Sequence, residues 1–474
     1  MNSSVPPAAQ EYAGDEINAL VLDPGSNTIR AGFAGEDTPK SVVPSFYGVP
    51  QSSDAQSQYL FGENALHNPL THMDVRNPYS SDSVVEDWDV ASKLWEYSIT
   101  SRLTGTRPTP AAKNGLNDPA EVKDEDGDMA MEGVEELEKP MAENPLLVSE
   151  PAWNPQKARE KTMEIAMEDW GVPAFWMGKT GMLAAFASGK PTALVIDIGA
   201  NTTSVTPLLD GFVLRKGVQK SNLAGNYISS QIRLQFSQMT PSVPLVPHYM
   251  VKSKQPVDAG ASSNATYMQF ATPPTESYRK LEEERVLTSF KESIVQVWPG
   301  PGKLDGASGQ IPGQTNADAV KTLPPKPFEM PDGWNQVFGL ERFRVVEGLF
   351  SPQGALSDAE NPVPDAKHTI PAMVQAALNA VDVETRPLLL NNVVLTGGGS
   401  LVEKLAERVQ AELSALYPNP RVRVHTTSSA TDRKYGAWIG GSVLASLGTF
   451  HQMWISKKEY EEHGSGIVEK RCKS

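Results

Sequence analysis

The sequence predicts an α/β protein made of two related halves. Three observations predict it. Residues 19–28 (ALVLDPGSNT) and 193–202 (ALVIDIGANT) are identical at seven of ten positions and lie 174 residues apart. Each opens as the short apolar run that a strand buried on both faces requires, and each continues into strand-like sequence, at 29–33 and 203–209. Elsewhere apolar residues recur at helical spacing, as Leu401, Leu405, Val409, Leu413 and Leu416 do, which marks a core-facing helix stripe. Duplicated strand–turn–strand units among amphipathic helices describe a duplicated α/β domain.

Taken in chain order, residues 1–16 are small, polar and proline-containing, and read as a flexible tail with neither the basic nor the apolar region of a secretory signal. The first strand–turn–strand follows. Residues 104–143 break the pattern. Within them, 118–143 carry eleven acidic and two basic residues, no aromatics and no period, and read as a disordered acidic insert. Asn154 and Pro155 open a helix, with Asn154 as N-cap and Pro155 at the first helical position; it runs to Trp170, where Gly171 and Pro173 end it. The second strand–turn–strand comes next. Residues 239–277 and 299–332 are rich in Pro, Gly, Ser and Thr and read as long surface loops. Residues 392–400 (NVVLTGGGS) read as a strand and a glycine turn, and Ser400 through Glu403 form a capping-box pattern for the helix behind them.

Composition removes several classes. A length of 474 residues suggests roughly three compact units at about 150 residues each. The formal net charge is −15, with 57 acidic against 42 basic residues, and the pI is about 5.1, so bulk affinity for a nucleic-acid backbone is disfavoured. That acidity is local: the stretch 118–143 holds −9 of the −15, and the other 448 residues share −6. Cys472 is the single cysteine, which excludes an intrachain disulfide and a cysteine zinc site and fits a reducing compartment. No apolar run approaches the ~18 residues of a membrane span.

The duplicated turn has a chemical reading. A glycine hairpin brings backbone N–H groups close to phosphate oxygens, and an aspartate at the strand end can hold a divalent metal, directly or through water. Two such hairpins facing each other clamp a nucleoside triphosphate, with Asp23 and Asp197 sharing one Mg²⁺. The glycine turn at 397–399 presents N–H groups to an anion or a purine ring. Neither a Rossmann nor a Walker A spacing is present.

These hairpins, with the later Gly-Gly turn, resemble the actin, sugar-kinase and heat-shock ATPase superfamily, whose fold is two duplicated RNase H-like domains around a nucleotide cleft. Residues 20–48 and 433–461 narrow the resemblance to the actin family. It implies one domain from 17–187 plus 436–474, and a second from 188–435. It implies ATP as cofactor, with phosphate contacts from Asp23, Gly25, Ser26, Asn27 and Arg30, and from Asp197, Gly199, Ala200 and Asn201. Arg30 stands where actins have a lysine, and Ala200 where they have an aspartate. Gly225, Lys291, Glu292, Gly397, Gly398, Gly399 and Lys434 fall on adenosine-pocket positions. Thr180 stands at the place of the water-orienting glutamine and Ser204 at that of a histidine serving the same step, so the expectation is a structural ATP binder that hydrolyses slowly or not at all. The loop at 49–59 is short and polar, and 73–88 replaces the stretch that bears a modified histidine in actins.

With 148–154, 172–175 and 245–249, these departures are similar to the nuclear actin-related proteins of the fourth class. That branch implies a nuclear subunit of histone acetyltransferase and chromatin-remodelling complexes, paired with actin on a helical segment of the motor or scaffold, in contact with histones or nucleosomes and with no membrane role. The apolar 438–454 segment, with Trp438, Leu447, Phe450 and Trp454, is a candidate cleft for the partner helix or else core packing. The acidic insert either contacts histones or is a solvated spacer. Two other readings stay open: a filament-forming cytoskeletal ATPase, which needs a polymerisation loop and a water-orienting residue, and a small-molecule kinase, which needs a base near the γ-phosphate.

Overall fold

A computed structural model describes residues 19–50, 59–104, 141–300, 302–306 and 314–473. The tail 1–16, nearly all of the acidic insert and most of the polar loop at 49–59 lie outside the described residues.

Two sheets carry the molecule. The first runs in the order Ile455–Ser456, Ala174–Lys179, Leu146–Glu150, Leu20–Pro24, Thr28–Phe33, Ser41–Pro44. The second runs Phe212–Val213, Thr203–Leu209, Ala193–Ile198, Val393–Thr396, Val424–His425, with Gln219–Ser221 also on Thr203–Leu209. The sequence repeat is a repeat of topology. Leu20–Pro24 pairs antiparallel with Thr28–Phe33 and parallel with Leu146–Glu150, while Ala193–Ile198 pairs antiparallel with Thr203–Leu209 and parallel with Val393–Thr396. Even the register repeats: Asp23 faces Arg30 and Asp197 faces Ser204. Leu20, Val21 and Leu22, like Leu194, Val195 and Ile196, have essentially no exposed surface, which is why both runs are apolar without alternation.

The helix Thr180–Ala187 lies where the first core reaches the second sheet: its Leu183 belongs to the same buried cluster as Ala193, Val195 and Val394. The helix Gly436–Ser446 crosses it so closely that a Cβ on Gly440 would overlap the Leu183 carbonyl. Behind it, the C-terminal residues add an edge strand to the first sheet and bury Cys472. Burial pushes that thiol up to about 12, so it is a packed, unreactive group. Arg159, itself buried, donates to Glu150 (2.9 Å), to Glu469 and to the Cys472 carbonyl (2.6 Å), and Lys179 donates to the same Glu150 (2.7 Å).

Several local expectations change. The helix expected from 155 to 170 is Gln156–Glu164 continued by a π turn, Ile165–Asp169. Pro155 is extended and takes the N-cap position without a side-chain hydrogen bond, and the Asn154 amide donates to Glu150 (2.9 Å). The capping box at Ser400 does not form: Ser400 sits in the 3-10 turn Gly398–Leu401 and donates to the Gly397 carbonyl (2.7 Å), and the helix Leu405–Leu416 starts after Lys404, which is left-handed. Leu405, Val409 and Leu413 are core as expected, but Leu416 is exposed. Loop 239–277 contains a hairpin, Val251–Gln255 with Asn264–Tyr267. Loop 299–332 contains the helix Asn316–Val320, capped by Thr315 and Asp318, and the strand Lys326–Glu329 paired with Asn335–Phe338. Val251–Gln255 and Asn264–Tyr267 are mostly exposed, so no apolar alternation marks them, whereas Phe328 and Phe338 of the second hairpin pack on the second core.

Candidate functional site

The ends of the two duplicated hairpins face one cleft. Its wall includes Asp23, Gly25, Ser26, Asn27 and Arg30 from the first hairpin and Asp197, Gly199, Ala200, Thr202 and Ser204 from the second. Thr180, Gly397, Gly398 and Lys434 complete the sequence-predicted part of the wall. Each turn closes in the same way: Gly25 N–H donates to Thr28 O (3.2 Å) and Gly199 N–H to Thr202 O (2.9 Å). The second turn is further pinned to the start of the helix Gly225–Gln238, whose Gly225 and Asn226 N–H groups donate to the Gly199 and Ala200 carbonyls (3.0 and 2.8 Å).

The two aspartates differ in their surroundings. Asp23 is buried and fully engaged: Arg30 Nη1 donates to Oδ2 at 2.6 Å and the Ser149 hydroxyl to Oδ1. Arg30 lies beside the Tyr435 ring, and its buried Nε has no hydrogen-bond partner among the described residues. Among the described residues Asp197 makes no ion pair. Burial first, and then the Asp23 charge, push its carboxyl up to about 6, with Arg30 partly opposing.

Not every predicted contact reaches the wall. Gly225, Lys291, Glu292, Gly399 and Asn201 are placed outside it. The Lys291 ammonium is occupied by Ser229 (2.6 Å), Glu284 (3.0 Å) and the Gly225 carbonyl (3.3 Å), and Glu292 points to solvent. Asn201 spends its amide on the Ser80 carbonyl (3.1 Å). Gly397 has φ +88°, and a Cβ there would overlap Asp197 and Ile198; Gly398 would meet nothing, so that glycine borders open space. The partner-helix cleft is also corrected in part. Trp438 has no exposed surface and donates to the Val21 carbonyl (3.1 Å), and Phe450 is wedged between Trp176 and Trp454. Both are core residues; the exposed apolar groups nearby are Val443, Leu447 and Met453.

Sequence reasoning gave no site role to Ser83, Ser149, Glu150, Trp153 or Thr396, all on the wall. Ser149, Glu150 and Trp153 lie in the stretch 148–154, whose pattern was visible. Ser83 had no local signal.

The residues present fit the phosphate end of a nucleotide: two glycine turns, the hydroxyls of Ser26 and Thr202, and the cations Arg30 and Lys434, with one Arg30 N–H unsatisfied. They also fit a magnesium ion arriving with phosphates, because the Asp197 carboxyl lies on the cleft wall beside that of Asp23, with only partial opposition from the Arg30 charge. The cleft between these residues leaves a space of about 130 Å³.

Comparison with known proteins follows the same line. The sequence profile described as Actin matches residues 14–473. "Actin-related protein 4" of Emericella nidulans is 55% identical over 480 residues, covering all of both chains. "Actin-related protein 4" of Neurospora crassa is 50% identical over 478 residues, covering all of this chain and 99% of its own. The "SWI/SNF and RSC complexes subunit arp42" of Schizosaccharomyces pombe is 36% identical over 473 residues, covering 97% of this chain and all of its own.

Proposed function

The chain belongs to the actin family, and we propose that it is a nuclear, ATP-binding subunit of chromatin-modifying assemblies that uses nucleotide as a structural clamp rather than a fuel. The assembly role is carried by the end-to-end similarity to a relative named as a subunit of SWI/SNF and RSC complexes, together with relatives named Actin-related protein 4. Pairing with actin on a scaffold or motor helix, membership of acetyltransferase complexes, and contact with histones belong to the same proposal. Purification of the native chain with identification of what accompanies it tests it; remodelling or acetyltransferase subunits support it, and a preparation containing only cytoskeletal proteins overturns it.

Within the cleft, Ser26, the two glycine turns, Arg30 and Lys434 bind and orient the phosphates, and Asn27, Gly397 and Gly398 shape the space around them. Gly225, Lys291, Glu292 and Gly399 belong to the adenosine side, which Lys291 reaches only by giving up its contacts to Ser229 and Glu284. A magnesium ion would be held by Asp23 and Asp197 through water and would supply charge neutralisation. Slow or absent hydrolysis rests on Thr180 and Ser204, both on the cleft wall. A threonine hydroxyl lacks the reach of a glutamine amide, and hydrolysis depends on the position of the attacking water. Single-turnover hydrolysis beside a conventional actin decides this: a matching rate removes the proposal.

A further inference from the structure

Residues 80–84 form a tight loop, closed by Ser80 N–H to Val84 O (2.8 Å) and by a bridge between Tyr79 and Val85. It spans the cleft between the two halves. On the second half, Asn201 donates to Ser80 O (3.1 Å), Asn222 donates to Ser81 O (2.8 Å), and Lys220 pairs with Asp82 (2.5 Å). On the first half, Trp153 donates to Asp82 O (2.9 Å) and its ring lies under the Lys220 ammonium. The strap thereby presents Ser83 on the cleft wall, where its hydroxyl is 3.4 Å from that of Ser26 and 3.3 Å from that of Thr202, one from each phosphate hairpin.

Ser83 holds φ at +59°, a left-handed conformation that glycine adopts freely and serine does not. A strained non-glycine residue fixed by its surroundings in a cleft is a pointer to function. We propose that Ser83 is a third phosphate contact, a hydroxyl carried across the cleft by the strap and aimed between the two hairpins. This rests on the reading that the cleft takes ATP. It adds a residue that neither hairpin supplies, and it makes nucleotide release depend on parting the strap from the second half.

The test uses the full-length chain and a fluorescent ATP analogue, with equilibrium binding, stopped-flow release and the melting temperature of the nucleotide-free protein. Loss of a hydrogen bond to a charged group predicts that Ser83→Gly binds about tenfold more weakly. Its melting temperature should stay level or rise, because glycine removes the strain. Lys220→Met keeps the hydroxyl and loosens the strap, so release should quicken by about two- to fivefold, the scale of one exposed ion pair. Binding by Ser83→Gly within twofold of the parent overturns the proposal, as does a fall in melting temperature with affinity retained, which marks a structural serine. If the parent chain binds no nucleotide, the proposed function fails and this inference with it; if the parent binds and Ser83→Gly binds equally, this inference alone fails.

Discussion

Asp23 and Asp197 occupy the same position in two copies of one hairpin, yet one faces an arginine and the other a serine. That single difference divides their roles. Asp23 is a fixed, neutralised anchor, held by Arg30 and Ser149. Asp197 keeps its proton to about pH 6 because of burial and the neighbouring Asp23 charge, whereas the unfolded chain releases it near 4. Folding of the nucleotide-free chain therefore takes up a proton between about pH 4 and 6, and stability falls as pH rises through that window. Asp197 retains some solvent contact across the cleft, which limits the effect to about 1–2 kcal/mol. Asp197→Asn should accordingly raise the melting temperature of the nucleotide-free protein at pH 7, and the gain should vanish by about pH 4. A gain that persists unchanged at low pH contradicts the assignment. The sequence showed both aspartates and Arg30; it could not show that Arg30 spends its charge on Asp23, because that pairing depends on strand register.

At the scale of elements, the duplicated hairpins were legible and the helix boundaries were not. Apolar runs buried on both faces announce themselves. Caps depend on where a side chain finds a partner, and Asn154 and Ser400 each found one outside the expected cap. Close helix crossings are equally silent in sequence. Gly440 lies in the middle of the helix Gly436–Ser446, where alanine would ordinarily stabilise by about 1 kcal/mol. Here Gly440→Ala should destabilise instead, by about 1–3 kcal/mol, since the methyl group meets the Leu183 backbone in the packed crossing of the two helices. Thermal or denaturant unfolding measures it, and a stabilised variant contradicts the crossing. The C-terminal elements are tied by charge as well as packing. Arg159→Met should cost about 3–5 kcal/mol, because Glu150 would stay buried and only partly compensated by Lys179.

For the whole molecule, the apolar C-terminal segment offered two roles to one stretch of sequence, and burial divides them. Phe450 is packed between two tryptophans, so Phe450→Asp should unfold the domain. Leu447 is 45% exposed, so Leu447→Asp should leave the melting temperature within about 1–2 °C and weaken capture of a scaffold helix. Intact capture by a folded Leu447→Asp protein removes this surface as the docking site. By itself the sequence determined the duplicated α/β plan and the family, since each is written in contiguous residues whose pattern and spacing are local. Only the tertiary structure decided which predicted residues share a wall, that Lys291 and Asn201 are occupied elsewhere, that Trp438 is core, and that Ser83 stands between the hairpins. Those facts depend on distances between segments remote in the chain, which packing sets and local sequence does not encode.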